Sequence, residues 1–148
     1  MKVFIDTWGW IALFNKREFR HDQVSEFYKE FRKKRGLIYT SSDVLNETFT
    51  SLFRHVYTQQ AFHAIEVIDE AVKTNYLMLE WITELHFEKA KELRRRFSDK
   101  PLISFTDLTS MVIMENQGIT DILTEDDHFL QVGLGFKTVP EVKKNNIS

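Results

Sequence analysis

An α/β fold with a mostly parallel central sheet is predicted by three observations. Short runs of branched and apolar residues recur at Val3–Ile5, Leu37–Thr40, Tyr76–Trp81, Thr120–Thr124 and Lys137–Val139. Helical periodicity fills the intervals between them, and strands that alternate with helices join through crossovers rather than hairpins. At 148 residues, 43% of them hydrophobic and 13 of them phenylalanine, the chain suits one domain spanning 1–148. Such a domain buries roughly 70% of the surface its unfolded form exposes.

The elements follow in order. Val3–Ile5 runs into Asp6, and the next residues, Trp8 to Phe14, are apolar nearly all round, which predicts a short helix buried against the sheet. Asp22 is placed to cap a second helix, with Val24, Phe27, Tyr28 and Phe31 on its buried face. The basic run Arg32-Lys33-Lys34-Arg35 then meets the negative end of that helix before Gly36 stops it, so the run reads as a solvated helix end. After the second strand, Ser41-Ser42-Asp43 offers caps to a helix whose apolar stripe is Val44, Leu45, Thr48, Phe49, Leu52, Phe53 and Val56, with Glu47 beside it. A helix from about Gln59 to Val72 is expected to bury Phe62, Ile65, Ile68 and Val72, and its surplus apolar surface suggests a partner face. Thr83 onward predicts a helix with Ala90, Leu93 and Phe97 inward and Lys89, Lys91 and Arg94–Arg96 outward or flanking, broken at Ser98–Pro101. Ser104-Phe105-Thr106 leads into Asp107, and Leu108, Met111, Val112 and Met114 carry helix spacing until Gly118. Thr120–Thr124 then enters the acidic turn Glu125-Asp126-Asp127, followed by His128-Phe129. The tail 141–148 is polar and expected to fray.

Composition excludes several classes. There are no cysteines, hence no disulfide and no thiolate zinc site, which fits a reducing, cytoplasmic setting. Met1–Asp6 meets a charge too early for a signal peptide, and no apolar run is long enough to span a membrane. A formal net charge of −2 supplies no global attraction to a polyanion, so nucleic acid has to be held by local basic groups or through a cation.

The acids are the chemistry-bearing feature. Asp6 and Asp126 follow strands and Asp107 opens a helix, which in an open parallel sheet are neighbouring places along the carboxyl edge. Glu47 lies in the first turns of a helix that also follows a strand. Two carboxylates about 4 Å apart repel by roughly 1 kcal/mol in water and about 4 kcal/mol at an effective dielectric near 20, so a cluster of them calls for a cation. All-oxygen ligation suits Mg²⁺ or Mn²⁺, whereas zinc prefers His or Cys. The five histidines show no paired i, i+4 spacing and read as structural or surface residues, with His128 at the rim of the acidic group.

The order Ile5-Asp6-Thr7, Glu47, Ser104-Phe105-Thr106-Asp107 and Leu123-Thr124-Glu125-Asp126-Asp127-His128-Phe129 resembles a PIN domain, and most of all the VapC-type ribonuclease toxins of toxin–antitoxin modules. The likeness runs over essentially the whole chain. It implies a three-layer α/β/α sandwich, with Asp6, Glu47, Asp107 and Asp126 as metal-site acids and Thr7, Thr106 and Thr124 as their hydroxyl neighbours. Asp127 leaves the identity of the fourth acid open, and Trp8 and Trp10 are bulkier than the family's usual residues there. The activity implied is hydrolysis of an RNA phosphodiester with Mg²⁺ or Mn²⁺. Asp6 and Asp107 would hold metal, Glu47 and Asp126 would complete the site, and Thr106 would orient a ligand or the attacking water. Arg54, His55 or the Arg94–Arg96 run would steer the RNA backbone. A small antitoxin or a homodimer would use the Val44–Val72 region. The alternatives are a non-catalytic PIN-like interaction or RNA-binding module, and an aspartate-dependent phosphatase. The latter wants a second acid near position 8, where Trp8 stands.

Overall fold

A computed structural model of the chain describes residues 1–142. Strands Lys2–Ile5 (β1), Leu37–Ser41 (β2), Leu77–Glu80 (β3), Asp121–Leu123 (β4) and Lys137–Val139 (β5) form one sheet in the order β3-β2-β1-β4-β5. Every pairing is parallel. The helices are Thr7–Phe14 (α1), His21–Lys33 (α2), Ser42–His55 (α3), Thr58–Lys73 (α4), Glu84–Arg96 (α5), Phe105–Gln117 (α6) and His128–Gln131 (α7). Parallel strands need crossovers, and right-handed crossovers that first travel from β1 to β3 and then return to β4 place helices on both faces of the sheet. The α/β/α sandwich is therefore present. Val3, Phe4, Ile5, Ile122 and Leu123 are buried, as central strands covered on both faces must be.

The strand order reverses between β1 and β4, and their carboxyl ends border the crevice where open α/β sheets bind ligands. α1 lies so close to β4 that a Cβ on Gly9 would come within 2.7 Å of the Leu123 carbonyl oxygen. That approach, to backbone rather than to a movable side chain, explains the glycine inside the helix. α6 is buried on all sides from Asp107 to Met114, packed among α3, α5 and α7, so its first turn is held against the crevice.

Four local expectations are corrected. Asp22 does not cap α2; it sits in the first turn, the cap position is Arg20, and its charge meets the helix dipole instead. Arg35, at φ 59°, makes the left-handed turn that ends the helix, and the Gly36 N–H closes it on the Phe31 carbonyl at 3.0 Å. Gly36 is needed for room, because a side chain there would strike the Phe31 ring. α4 buries Ala61, Ala64 and Ile68, whereas Phe62 is 53% exposed and meets Phe53 edge to face. The small alanines let α4 approach α3 closely, which leaves no room for the larger ring on the inner face.

Arg94 is the fourth correction. It turns inward, and its guanidinium donates to the carbonyls of Phe97, Lys100 and Ile103, stapling the 97–103 loop to α5. Among the described residues no helix is long and apolar enough to cross a membrane. Of the expected frayed tail, Glu141 is anchored by its carbonyl, which accepts from Gln23 at 2.8 Å, and residues 143–148 lie outside the described residues.

Candidate metal centre

The site is built from the register of β1 against β4. Ile5 pairs with Leu123, and the ladder continues as the Asp6 N–H donates to the Leu123 carbonyl at 3.2 Å. This sets Asp6 beside Thr124. The Thr124 hydroxyl donates to Asp6 Oδ2 at 3.0 Å and accepts from the Asp126 N–H at 3.1 Å, so one buried hydroxyl orients two acids. Asp126 folds its carboxylate over the turn, where Oδ1 accepts from the His128 N–H at 2.8 Å.

Asp107 arrives from the other side as the third residue of α6. Ser104 Oγ accepts from the Asp107 N–H at 3.1 Å, and Asp107 Oδ2 accepts from the Ser104 N–H at 3.1 Å. The capping box fixes the carboxylate before any ligand is considered. His128 Nδ1 lies 3.2 Å from Asp107 Oδ2 and 3.1 Å from Asp126 Oδ1. Two carboxylates facing one ring nitrogen put the proton on Nδ1. Asp107, Asp126 and His128 each offer one ligand atom, all within 4.8 Å of one another.

Asp6, Asp107 and Asp126 thus converge. Glu47, on the exposed side of α3, is not among the groups gathered there; its Oε2 accepts from Thr7 Oγ1 at 3.0 Å, and Thr7 follows Asp6. Asp127 is exposed at the start of α7, and Asp126 is the one whose carboxylate joins the group. Thr106 is half-buried, and its hydroxyl makes no hydrogen bond among the described residues, although its carbonyl accepts from Thr109 and Ser110. The bulky Trp10 is buried, its indole donating to Thr40 at 3.0 Å, and the Trp8 ring lies under the Arg20 guanidinium. His128 sits between the acids rather than at their rim. Its place comes from a turn and a helix that meet only in the fold, and the one sequence signal for it is its position two residues after Asp126.

The electrostatics are unfavourable as they stand. Burial, then the Asp107 charge, pushes the Asp6 carboxyl up from 3.8 to about 7. Burial raises Asp107 as well, against the lowering effect of its bonds to Ser104 and His128. Among the described residues no lysine or arginine pairs with Asp6, Asp107 or Asp126. Carboxylates that burial holds back from ionising, with no lysine or arginine beside them, fit a divalent cation, which would favour their charged forms. Asp107, Asp126 and His128 are the residues placed to hold such an ion, and carboxylate oxygens suit a hard cation.

The profile of the PIN domain family matches residues 3–134. The chain belongs to the PIN domain family. No curated protein sequence matches it. Among solved structures, this PIN domain is similar to VapC20 of Mycobacterium tuberculosis, described as a sarcin-ricin loop cleaving toxin. The TM-score is 0.75 at 29% identity, over 88% of this chain and 95% of that one. It also shares its fold with VapBC2 from Rickettsia felis, solved bound to a DNA fragment from the promoter, with a TM-score of 0.70 at 17% identity over 93% and 97% of the two chains. The domain is VapC-like.

Proposed function

We propose that this PIN domain is a divalent-cation-dependent endoribonuclease acting in the cytoplasm as the toxin of a toxin–antitoxin module. The observation that carries the reading is the gathering of Asp6, Asp107 and Asp126 at the switch point, with His128 but no lysine or arginine beside them. Asp6 and Asp107 would hold Mg²⁺ or Mn²⁺, with Asp126 and Glu47 completing the set directly or through water. When bound, such an ion lowers the pKa of a water and offsets the charge that gathers on the phosphoryl oxygens during hydrolysis.

The chain's own residues supply the preorganisation. Thr124 fixes Asp6, the Ser104 box and His128 fix Asp107, and Thr7 orients Glu47. Thr106, whose hydroxyl is uncommitted, is the residue assigned to the attacking water. The described activity of VapC20 supports both the toxin role and the RNA substrate. Phe53, Phe62 and Val67 are exposed on α3 and α4, and they support seating a small antitoxin on the Val44–Val72 region. A homodimer would draw on the same surface.

The test is end-mapping of a structured RNA pool after incubation with the parent or Asp107→Asn, in EDTA and in Mn²⁺. The parent is expected to cut at discrete positions only with metal. Asp107→Asn should lose at least about 100-fold, since removing even an outer partner of a metal ligand costs roughly 10–100-fold. Equal cleavage by both proteins, or cleavage undiminished in EDTA, rejects the assignment. Binding of RNA by the parent without cleavage in either metal points instead to a non-catalytic module.

A further inference from the structure

Away from the acids, the ends of α1 and α3 and the start of α4 enclose a groove of about 610 Å³. Lys16, Arg17, Arg54, His55 and His63 line it together with Tyr57, and no carboxylate does. On a chain whose net charge is −2, this is a local concentration of positive and ionisable nitrogen groups. Among the described residues, none of Lys16, Arg17 and Arg54 is paired with an acid. Each is exposed. The His55 Nδ1 lies 2.8 Å from the Ser51 carbonyl, which can only accept, so Nδ1 carries the proton and Nε2 has no partner among the described residues. Tyr57 is 72% exposed and offers an open aromatic face.

The groove opens onto the flank of α3 that carries Glu47. A shallower depression of about 270 Å³ follows α3 past Glu47, Thr50 and Ser51 and shares Arg54 and His55 with the groove. These residues recur at helical spacing, which makes a polar stripe opposite the buried face of Val44, Leu45, Thr48 and Leu52. Glu47 and Arg54 are seven residues apart, about 10 Å along the helix.

We propose that this groove is the binding track for a single-stranded segment of the RNA substrate, leading away from the scissile phosphate along α3. The proposal rests on the ribonuclease reading for what lies at the acidic end. A positive channel that follows the backbone, with an aromatic platform for a base, is the physical requirement for holding a single strand. Lys16, Arg17 and Arg54 contact phosphates, and Tyr57 stacks a base. An acidic peptide satisfies the cations but has no use for the aromatic face, so the groove favours RNA over such a partner.

The experiment measures binding in EDTA, where no metal-dependent cleavage intrudes, by fluorescence anisotropy of a labelled single-stranded 12-nucleotide RNA. The proteins are the parent, Arg17→Ala/Arg54→Ala, Tyr57→Ala and the control Lys33→Ala/Lys34→Ala. The control removes the same charge at the end of α2, which precedes β2 and therefore lies at the opposite edge of the sheet. The groove double variant is expected to bind about tenfold more weakly and to flatten the dependence of log Kd on log salt by about 1.4, or roughly 0.7 for each phosphate that is no longer neutralised. Tyr57→Ala weakens binding without changing that slope, and the control matches the parent.

The proposal is overturned if the groove and control variants shift equally, if a duplex of the same sequence binds as tightly as the single strand, or if poly-glutamate binds where RNA does not. Tight groove-dependent binding by a protein that never cleaves RNA keeps the track and removes the nuclease. Metal-dependent cleavage with the parent's KM in the groove variant keeps the nuclease and removes the track.

Discussion

Replacing Asp6 by Asn tests the electrostatic state of the site without any substrate. Asp6 is buried at the end of β1, and Thr124 donates to its Oδ2. Desolvation, with the Asp107 charge adding to it, raises its pKa from 3.8 to about 7. A carboxyl that holds its proton more tightly in the folded state contributes stability that is fully present below about pH 4 and is lost as pH rises through about 7. A shift of that size corresponds to about 4 kcal/mol by pH 8, at 1.36 kcal/mol for each pH unit. Asn cannot ionise and keeps a carbonyl oxygen for the Thr124 hydroxyl. In EDTA at pH 8, Asp6→Asn should therefore melt higher than the parent, by on the order of 10 °C. It should also show a flatter pH profile, with the residual slope set by Asp107, whose pKa burial also raises. Mn²⁺ should reverse the order, stabilising the parent and leaving the variant nearly unmoved. The assay is thermal melting by circular dichroism from pH 5 to 8, with and without Mn²⁺. A variant that melts below the parent at pH 8 in EDTA and keeps the parent's pH profile would refute the reasoning.

Two further outcomes follow from the same geometry. His128→Ala removes the N–H that faces both Asp107 and Asp126, and in EDTA it should cost about 1–3 kcal/mol in chemical denaturation, with Mn²⁺ recovering most of the loss; an unchanged midpoint in EDTA contradicts the bridging role. Gly9→Ala forces a Cβ to within 2.7 Å of the Leu123 carbonyl, so α1 must shift off β4; a loss of about 1–3 kcal/mol is expected, and a neutral or stabilising effect contradicts the close approach.

The sheet is legible in the sequence because buried parallel strands write themselves as short branched runs, and the five such runs match the five strands observed. Asp6, Asp107 and Asp126 are legible because strand ends and helix starts share one edge in such a fold, so position in the chain implies position in space. Other features depend on packing that no local pattern encodes. His128 reads as a residue at the rim of the acids until the turn after β4 and the start of α6 bring two carboxylates to its Nδ1. Arg94 looks like one more solvated cation in a basic run, and only the folding back of the 97–103 loop gives it three carbonyls to hold. In α4, Phe62 and Ile65 obey the same spacing as Ala61, Ala64 and Ile68, and the phase is decided by how closely α3 approaches. Glu47 is indicated by its helix position, but its bond to Thr7 requires the packing of α1 beside α3.

Calorimetric titration of Mn²⁺ into the metal-free parent and Asp107→Asn at pH 7, repeated in buffers of different ionisation enthalpy, addresses the cation directly. Because Asp6 titrates at about 7, the parent should bind Mn²⁺ and release about half a proton or more, while Asp107→Asn should bind far more weakly. No binding by the parent at millimolar Mn²⁺, or equal affinity and proton release in both proteins, would mean that these carboxylates meet at the switch point for a reason other than a bound cation.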